Sequence, residues 1–351
     1  MRQRRSYGAI DNFRLAAAFL IVAIHTAPLE SFSSTADFLV TYCIGRIAVP
    51  FFLMVTGFFV LAPYQRFGGH SSEMAENVTL KLEKFLKKTA ALYGVSIVLY
   101  LPVKIYAGQW EMNPGIWLKE IFFDGPFYHL WYLPAVLIGC LFLVGMMRLC
   151  SPMTISVMTV VLYVIGTAGD SYYQLISQAP FLKTVYEGIF FVSSYTRNGI
   201  FFAPVFLWMG VLIANGGVKI PRSQALTGVA VSMTGMLAEG FLSYSLEWQK
   251  HNSMYLFLLP VMFFLFELLR SDTEITGWRK ARDVSMYVYI IHPICIILVR
   301  GAAEVLKVKN IFVEQSLVHY LAVCLLSFAL SFGTAEAVKV ISGMVYSRKS
   351  E

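Results

Sequence analysis

The stretch FRLAAAFLIVAIHTAP, from Phe13 to Pro28, is apolar enough to cross a membrane, yet it keeps a cation near one end and a histidine near the other. Arg14 and His25 are eleven residues apart, nearly three helical turns, so both side chains project from about the same face. The rise between them is about 16 Å. Because an ionisable group in a spanning helix costs roughly 2.5–3.5 kcal/mol on insertion scales, each one requires a reason.

The composition of the chain indicates a membrane protein. Of its 351 residues, 57% are hydrophobic and only 14% are charged, whereas soluble domains contain about 25% charged residues. The net charge of +7 does not indicate a nucleic-acid-binding protein, because the basic residues cluster in short loops between apolar segments. The five cysteines form no CxxC pair, so neither a disulfide framework nor a metal site is expected.

A helix needs roughly 20 apolar residues to cross a bilayer core of about 30 Å. By this criterion residues 1–351 are predicted to form one all-α, polytopic membrane domain of about ten transmembrane helices. The predicted spans are 13–29, 38–62, 89–107, 130–149, 153–169, 199–214, 224–242, 254–269, 284–300 and 316–341. The fifth, sixth and ninth of them are short. Residues 181–195 form a further, moderately apolar segment suited to the membrane interface.

The loop charges predict the orientation. Ten spans place both termini on one side, and the loops of that side carry 17 Lys and Arg against seven on the other. Such an excess marks the cytoplasmic face, so we expect a multi-pass protein of the cell membrane with both termini in the cytoplasm. The segment at about 71–88 interleaves lysines and apolar residues at helical spacing. It is either an amphipathic helix on the inner leaflet or a solvated loop helix.

Three ionisable side chains inside the predicted spans are the first candidates for a functional site. Arg14 lies near the cytoplasmic end of the first span, where it can anchor that end, while His25 is either a packing residue or a functional one. Arg46 keeps its charge at any pH and needs a carboxylate, a carbonyl or a ligand anion, so a structural pair with Glu239 is the alternative to a ligand site. Pro50 frees the carbonyl of Arg46 from its helical hydrogen bond.

Further polar residues gather near the outer ends of the predicted spans. An aromatic belt explains Trp131 and Tyr132 but not His129. The remaining candidates are Asp170, Arg197, Asn198, Glu239, His251, Asn252, Ser253, Tyr255 and, in mid-span, His292. Together they predict a hydrated cavity that opens to the outside and suits a small ligand bearing a carboxylate or phosphate, with His25 as a proton acceptor. The sequence contains no GxSxG nucleophile motif.

Several strings in the chain resemble the membrane acyltransferase family 3. They are DNFRLAAAFLIVAIH, RIAVPFFLMVTGFF, YHLWYLPA, TRNGIFFAPVFL, HNSMYLFLLPV and YIIHP. The resemblance covers residues 8–341 approximately and is strongest to the N-terminal membrane domain of the membrane-bound serine racemases of vancomycin-resistant enterococci. It implies about ten helices, His25 as the catalytic base of acyl transfer, and Arg14 in handling the acyl donor from the cytoplasmic side.

The racemase subgroup also implies partners. Its membrane domain is thought to bring L-serine to a cytoplasmic racemase domain that uses pyridoxal phosphate and follows the C-terminal end. Residues 1–351 contain no segment that resembles this racemase domain, so pyridoxal phosphate is not expected here and racemization by this chain is in doubt. The partners expected for this chain are the lipid bilayer, L-serine and a racemase domain in the full-length protein, with a homodimer as an open alternative and no nucleic acid.

Two functional hypotheses follow, and a third ranks last. In a transport module, Arg46 holds the serine carboxylate, Asp170 or Glu239 meets the ammonium group, and His25 or His292 couples protonation to opening. In an O-acyltransferase, His25 deprotonates a hydroxyl, Arg46 or Tyr132 stabilises the oxyanion, and the donor is a thioester such as acyl-CoA. A mere membrane anchor would not need ten spans. The resemblance favours the transport module.

Overall fold

A computed structural model of the chain describes residues 7–68, 73–216, 220–272, 274–278 and 280–347, with side chains up to residue 340. Within these ranges the chain forms helices and turns and no strand, which confirms the all-α class. The chain divides into two compact units. The first unit comprises Met1–Ala48 and Leu265–Glu351, and the second comprises Val49–Phe264.

The helices are, in chain order, α1 (Gly8–Thr26), α2 (Ser34–Phe38), α3 (Ala48–Thr56), α4 (Ala62–Phe67), α5 (Glu73–Tyr106), α6 (Pro114–Lys119), α7 (Tyr132–Leu149), α8 (Pro152–Asp170), α9 (Tyr173–Ile176), α10 (Pro180–Val192), α11 (Ala203–Ala214), α12 (Arg222–Ser245), α13 (Leu258–Ser271), α14 (Ala281–Val305), α15 (Lys309–Phe312) and α16 (Ser316–Ser347). Wider π-helical turns occur at Leu39–Cys43, Gly57–Leu61 and Glu120–Asp124, and a 3₁₀ turn occurs at Ile44–Ile47.

Eight helical segments in the described part of the chain are long and apolar enough to cross a membrane. They are Gly8–Thr26, Ser34–Phe67, Glu73–Tyr106, Tyr132–Leu149, Pro152–Asp170, Arg222–Ser245, Ala281–Val305 and Ser316–Val340. The polytopic class is therefore confirmed, while the predicted count of ten is not. The difference lies in the predicted spans 199–214 and 254–269, which form the shorter helices α11 and α13, of 12 and 14 residues.

Both of these helices begin later than predicted because polar side chains take the backbone amides that precede them. The Asn198 side-chain oxygen accepts hydrogen bonds from the amides of Ile200 and Phe201, at 2.9 and 3.1 Å, so α11 begins only at Ala203. Before α13, the amides of Ser253, Met254, Leu256 and Phe257 all donate to carboxylates rather than to a helical turn. For both α11 and α13, the apolar run in the sequence is therefore longer than the helix that it forms.

The predicted amphipathic segment at 71–88 is continuous with the third span, in so far as the structure describes it. Residues 71 and 72 lie outside the described ranges, and the rest forms the first half of α5, a helix of 34 residues and about 51 Å. Its apolar face buries Val78 and Leu82, whereas Lys81 and Lys88 are exposed. The amphipathic pattern is therefore real, and its location on the inner leaflet stays a prediction.

In the first unit, α1, α14 and α16 pack against one another. Their shared core consists of small and branched apolar side chains, among them Ala18, Val22, Val288, Cys295 and Val323. Side chains of this size allow the helix backbones to approach closely, as is common for helices that pack in lipid. This three-helix contact places the C-terminal part of α1 beside the middle of α14.

In the second unit, glycines set the packing of α11. A Cβ atom on Gly57 would lie 1.9 Å from the Leu207 carbonyl oxygen, and one on Gly210 would lie 2.2 Å from the Met54 carbonyl oxygen. No side chain fits at either distance, so the two backbones meet directly. Glycine pairs of this kind are a usual device for close helix contact in membranes.

We expect Gly210→Ala to destabilise the chain because the added methyl group would force α11 away from the Met54 carbonyl. The loss should be about 1–3 kcal/mol, as for other overpacked sites. The matched control is Gly145→Ala in α7, where nothing lies within 4 Å of the added Cβ and the better helix propensity of alanine should be slightly stabilising. In detergent micelles, the midpoint temperature of thermal unfolding should fall for Gly210→Ala and rise slightly for Gly145→Ala. Equal shifts of the two midpoints would contradict the packing described here.

Candidate functional site

Two histidines that lie far apart in the sequence form a stacked pair in the first unit. The rings of His25 and His292 have centroids 5.3 Å apart and planes 21° from parallel. His25 occupies the last turn of α1 and is half-buried, whereas His292 lies in the middle of α14 and is wholly buried. The structure thus joins two residues that the sequence predicted as separate candidates, and it places two imidazole rings side by side.

The proline after His292 fixes the tautomer of its ring. Pro293 has no amide hydrogen for the carbonyl of Tyr289, four residues earlier, so that carbonyl can accept another donor. The His292 Nδ1 atom lies 2.9 Å from this oxygen and 3.1 Å from the Val288 carbonyl oxygen. Carbonyl oxygens only accept hydrogen bonds, so Nδ1 carries the hydrogen, and a change of protonation at this ring occurs at Nε2.

The loop that follows His25 is held in place from two sides. Asp37, which is buried, accepts a hydrogen bond from the Leu29 amide at 2.8 Å. The Ser316 hydroxyl, at the start of α16, donates to the Pro28 carbonyl at 2.8 Å. His25 is therefore presented at a fixed helix end, the carboxyl end of α1.

Arg46 lies on the segment that packs against the C-terminal part of α1. This contact is close, because a Cβ on Gly45 would lie 2.8 Å from the Ile24 side chain. Gly45 and Ile24 are the chain neighbours of Arg46 and His25, so the backbones at Arg46 and His25 lie at the same level of the first unit. A fixed cation and a titratable pair are thus carried by neighbouring elements.

Among the residues that the structure describes, the Arg46 guanidinium contacts an aromatic ring and forms no ion pair with a carboxylate. Its central carbon lies 5.0 Å from the centroid of the Tyr42 ring, and its Nε atom is buried without a hydrogen-bond partner among the residues that the structure describes. The backbone around Arg46 is irregular: a π-helical turn and a 3₁₀ turn precede α3, and Pro50 offers the Arg46 carbonyl no amide hydrogen. A buried donor on a permanent cation is suited to an anionic ligand.

Arg14 has a partner within its own helix. Its Nε atom lies 3.2 Å from the Asp11 carboxylate, and its side chain is only 12% exposed. Both Arg14 and His25 belong to α1, so they are about 16 Å apart along the helix and do not act on the same atoms. The sequence analysis missed Asp11, although its spacing of three residues from Arg14 is a recognisable helical ion-pair signal.

In the second unit, Asp170 holds the segment that precedes α13. Its side-chain oxygen Oδ1 accepts hydrogen bonds from the amides of Ser253 and Met254, at 2.7 and 3.0 Å. Its main-chain carbonyl accepts another from the Lys250 amide at 2.8 Å. The carboxylate is wholly buried, so these bonds replace the water that it gives up.

Glu239 holds the next part of the same segment. It accepts hydrogen bonds from the amides of Leu256 and Phe257, at 2.7 and 2.9 Å, and from the Tyr172 hydroxyl at 2.7 Å. Burial and the adjacent Glu239 carboxylate raise the pKa of the Tyr172 hydroxyl, so it remains a donor. Tyr172 is a residue that the sequence analysis missed, although it stands two positions after Asp170. That Asp170 or Glu239 binds the ammonium group of serine stays a prediction.

Arg197 is surrounded by residues that were also predicted as candidates. Its Nη1 atom donates to the Ser253 hydroxyl at 2.8 Å, and its central carbon lies 4.1 Å from the Tyr195 ring centroid and 5.3 Å from the Trp131 ring centroid. The His251 ring lies 4.4 Å from Tyr195 on centroids. The structure therefore brings Arg197, Trp131, His251 and Ser253 together.

The other predicted residues of the second unit have packing or turn-forming contacts. His129 is buried against the edges of neighbouring aromatic rings, which include Tyr100 at 4.8 Å. Tyr255 is buried, and its carbonyl accepts a hydrogen bond from the Tyr163 hydroxyl at 2.7 Å. The Tyr132 ring lies 6.4 Å from that of Phe52.

Asn252 resembles Arg46 in having an unused polar atom. Its side-chain oxygen is buried and has no hydrogen-bond partner among the described residues. The predicted residues thus fall into two groups, one around His25, Arg46 and His292 in the first unit and one around Asp170, Arg197 and Glu239 in the second. Their combination in a single cavity stays a prediction.

Comparison with known families identifies the chain. A family model described as an acyltransferase domain, acyltransferase 3, matches residues 7–336 and so includes α1 with His25 and α14 with His292. The chain belongs to the acyltransferase 3 family. No solved structure matches it.

This acyltransferase 3 chain is also similar to proteins that are named as racemases. Two are amino-acid racemases of Enterococcus faecalis, 39% identical over 336 residues and 35% identical over 325 residues, which are 94% and 92% of this chain. A third is a serine/alanine racemase of Enterococcus gallinarum, 33% identical over 320 residues, or 91% of this chain. The matches cover 45%, 45% and 44% of those proteins, so the chain spans about half the length of the relatives it matches.

Proposed function

We propose that this acyltransferase 3 chain is the membrane part of a serine racemase system, and that it binds L-serine and delivers it across the membrane to a racemase domain. The observation that carries the proposal is the match of more than nine-tenths of the chain to the N-terminal part of the racemases. A segment joined so regularly to racemases is best explained by a role in handling their amino-acid substrate. Serine is chosen because one relative is named a serine/alanine racemase.

The first unit offers the groups that an amino acid requires. Arg46 carries a permanent charge and a buried Nε donor without a described partner, and a carboxylate can accept two parallel hydrogen bonds from a guanidinium. The partly 3₁₀ backbone at Ile44–Ile47 keeps this side chain out of a regular helical row. In this proposal the serine carboxylate binds Arg46, as the sequence analysis expected.

The stacked histidines supply the proton. Two imidazolium cations in face-to-face contact would repel each other, so in this proposal the pair carries at most one extra proton at a time. Gain or loss of that single proton changes the charge beside Arg46 by one. In this proposal it couples binding of the zwitterionic substrate to opening of the pathway.

The orientation is part of the proposal. With the excess of Lys and Arg on the side of the termini, both termini are cytoplasmic and the chain resides in the cell membrane. A racemase domain joined at the C-terminal side would then receive L-serine in the cytoplasm, where it and not this chain would hold the pyridoxal phosphate. By resemblance to the racemases of vancomycin-resistant enterococci, we place this activity in antibiotic resistance.

Uptake of radiolabelled L-serine into proteoliposomes that contain residues 1–351 tests the proposal. We expect uptake by the wild type, and a loss of roughly 10- to 100-fold in apparent affinity for Arg46→Gln, as for removal of a charged hydrogen bond. Ethanolamine, which lacks the carboxylate, should not compete. The control is Arg300→Gln, which removes one exposed charge from α14 and should transport normally.

A second candidate function is acyl transfer, because the ring stacked on His25 gives a general base a fixed orientation. In that case His25 would deprotonate a hydroxyl that attacks the thioester carbonyl of an acyl-CoA, and the thiolate of coenzyme A would leave and take up the proton. Absence of wild-type L-serine uptake, together with release of free coenzyme A, would contradict transport and favour this enzyme. Uptake without coenzyme A release would exclude it.

A further inference from the structure

A groove in the second unit contains none of the residues proposed to handle serine. It is formed by α6, the following π-helical turn Glu120–Asp124 and the end of α10, and it has a volume of about 580 Å³. Its walls are mainly apolar and include Ile116, Leu118, Lys119, Phe122, Phe123 and Phe191. These elements follow α5 and α8, two helices long and apolar enough to cross a membrane, so we expect the groove at the level of the lipid headgroups.

Two ammonium groups converge at the side of this groove. Lys119, one of its lining residues, donates from Nζ to the Phe190 carbonyl at 2.9 Å. Lys250 places its Nζ 3.6 Å from the centroid of the Phe190 ring and 4.9 Å from that of Tyr173. Both cations therefore meet at one residue of α10. Loss of hydration, and then repulsion from Lys119, lower the pKa of Lys250.

The acidic side chains nearby already have other partners. Glu120 pairs with Lys104, and Glu187 lies 4.0 Å from Lys183. Asp124 accepts hydrogen bonds from the amide of Ser194, at 2.9 Å, and from the Ser193 hydroxyl. Within the ranges that the structure describes, neither Lys119 nor Lys250 forms an ion pair with a carboxylate.

The helix that carries Phe190 has the character of an interfacial helix. It is only 13 residues long, too short to span a bilayer. Two large apolar side chains at its ends, Phe181 and Phe191, are 76% and 86% exposed. Exposed rings of this size beside lysines are typical of segments that lie in the headgroup region, with the rings among acyl chains and the charges at the phosphates.

We propose that this groove binds an anionic phospholipid of the surrounding leaflet. The lipid phosphate lies between Lys119 and Lys250, where its charge relieves their mutual repulsion, and part of an acyl chain fills the apolar groove beside Phe122 and Phe191. A zwitterionic lipid fits less well because its own ammonium group offsets the phosphate charge. The site is independent of the serine proposal and requires no residue of the first unit.

Native mass spectrometry of the full chain released from nanodiscs with equal amounts of phosphatidylglycerol and phosphatidylcholine tests this site. We expect the wild type to retain phosphatidylglycerol preferentially. Lys119→Gln or Lys250→Gln should each weaken retention by roughly fivefold, and the double variant by about 25-fold. The matched control is Lys183→Gln on α10. The Lys183 ammonium is paired with Glu187, so its removal should leave retention of phosphatidylglycerol unchanged. Equal retention by the double variant and the wild type would overturn the proposal.

A second variant tests the groove without removing charge. Ile116→Trp should fill the groove and reduce retention of phosphatidylglycerol while both lysines remain, and thermal unfolding will show that each variant is folded. If glycerol phosphate, which has no acyl chain, displaced the lipid as effectively as a full phospholipid, the site would be one for a free phosphate ester and the proposal would be wrong. Unchanged retention by Ile116→Trp would equally exclude an acyl chain in the groove.

Discussion

Asp170→Ala is expected to lower the free energy of unfolding by about 3–5 kcal/mol, because it leaves two buried donors without an acceptor. The carboxylate of Asp170 accepts from the amides of Ser253 and Met254, both of which are buried, whereas the Ser171 hydroxyl keeps its 2.6 Å hydrogen bond to the Met254 carbonyl. No water can replace the lost oxygen in a wholly buried site without a rearrangement of the chain. The variant should therefore release the segment before α13 as well as destabilise the unit.

Hydrogen exchange and detergent unfolding together measure this effect. In Asp170→Ala the amides of Ser253 and Met254 should lose protection, while those in the middle of α7 should keep theirs. Asp170→Asn keeps one acceptor oxygen for these amides and should cost about 1–2 kcal/mol less than the alanine variant. The surface control is Glu187→Gln, an exposed carboxylate whose removal should change the unfolding free energy by less than about 0.5 kcal/mol.

The same substitution has a consequence for Arg197. Its Nη1 atom donates to the Ser253 hydroxyl, and this contact depends on the position that Asp170 gives to Ser253. If Asp170→Ala and Asp170→Asn were equally stable, the carboxylate would not be holding the segment. It would then be free to act on a substrate ammonium, as the sequence analysis expected.

The membrane fold was predictable because hydrophobic length is a local property of the sequence. Runs such as Phe13–Pro28 indicate a span wherever they occur, and six of the ten predicted spans correspond to separate long helices of similar extent. The second and third also correspond, but the helices there continue well beyond the predicted limits, as in Glu73–Tyr106. The count of ten is not confirmed, because two of the apolar runs form shorter helices. Before one of them, a side chain from a distant part of the chain takes the backbone amides, as Asp170 does 83 residues away from Ser253. A hydropathy average is taken over neighbouring residues only, so it cannot include a partner this far away in the sequence.

The candidate site was predictable in its residue types but not in its pairings. His25, Arg46 and His292 stood out because ionisable groups are costly within spans. Nothing in the spacing of His25 and His292 shows that their rings stack, since that contact depends on how α1 packs against α14. The roles of Asp170 and Glu239 as backbone acceptors were also hidden, because a carboxylate that binds amides and one that binds a ligand look the same in a sequence.

His25→Phe is expected to reduce L-serine uptake to the level of empty liposomes while the protein stays folded. Phenylalanine keeps an aromatic face against His292 and therefore most of a stacking contact worth about 0.5–1.5 kcal/mol. It removes only the titratable nitrogens, so the pair can no longer share a proton next to Arg46. Uptake of labelled serine and thermal unfolding, measured on the same preparation, separate the two effects.

His319→Phe is expected to lower stability and leave L-serine uptake in place, the reverse of the result expected for His25→Phe. His319 is a buried histidine of α16 whose Nδ1 lies 2.9 Å from the Phe312 carbonyl, and it holds the loop before α16. Its replacement should lower stability by about 1–3 kcal/mol through the unpaired carbonyl, yet leave transport in place. A transport-competent His25→Phe would exclude protonation of His25 as the coupling step. If the purified wild type released coenzyme A and His25→Phe lowered that rate by about 10²–10⁴, the ring would instead be the general base of an acyl transfer.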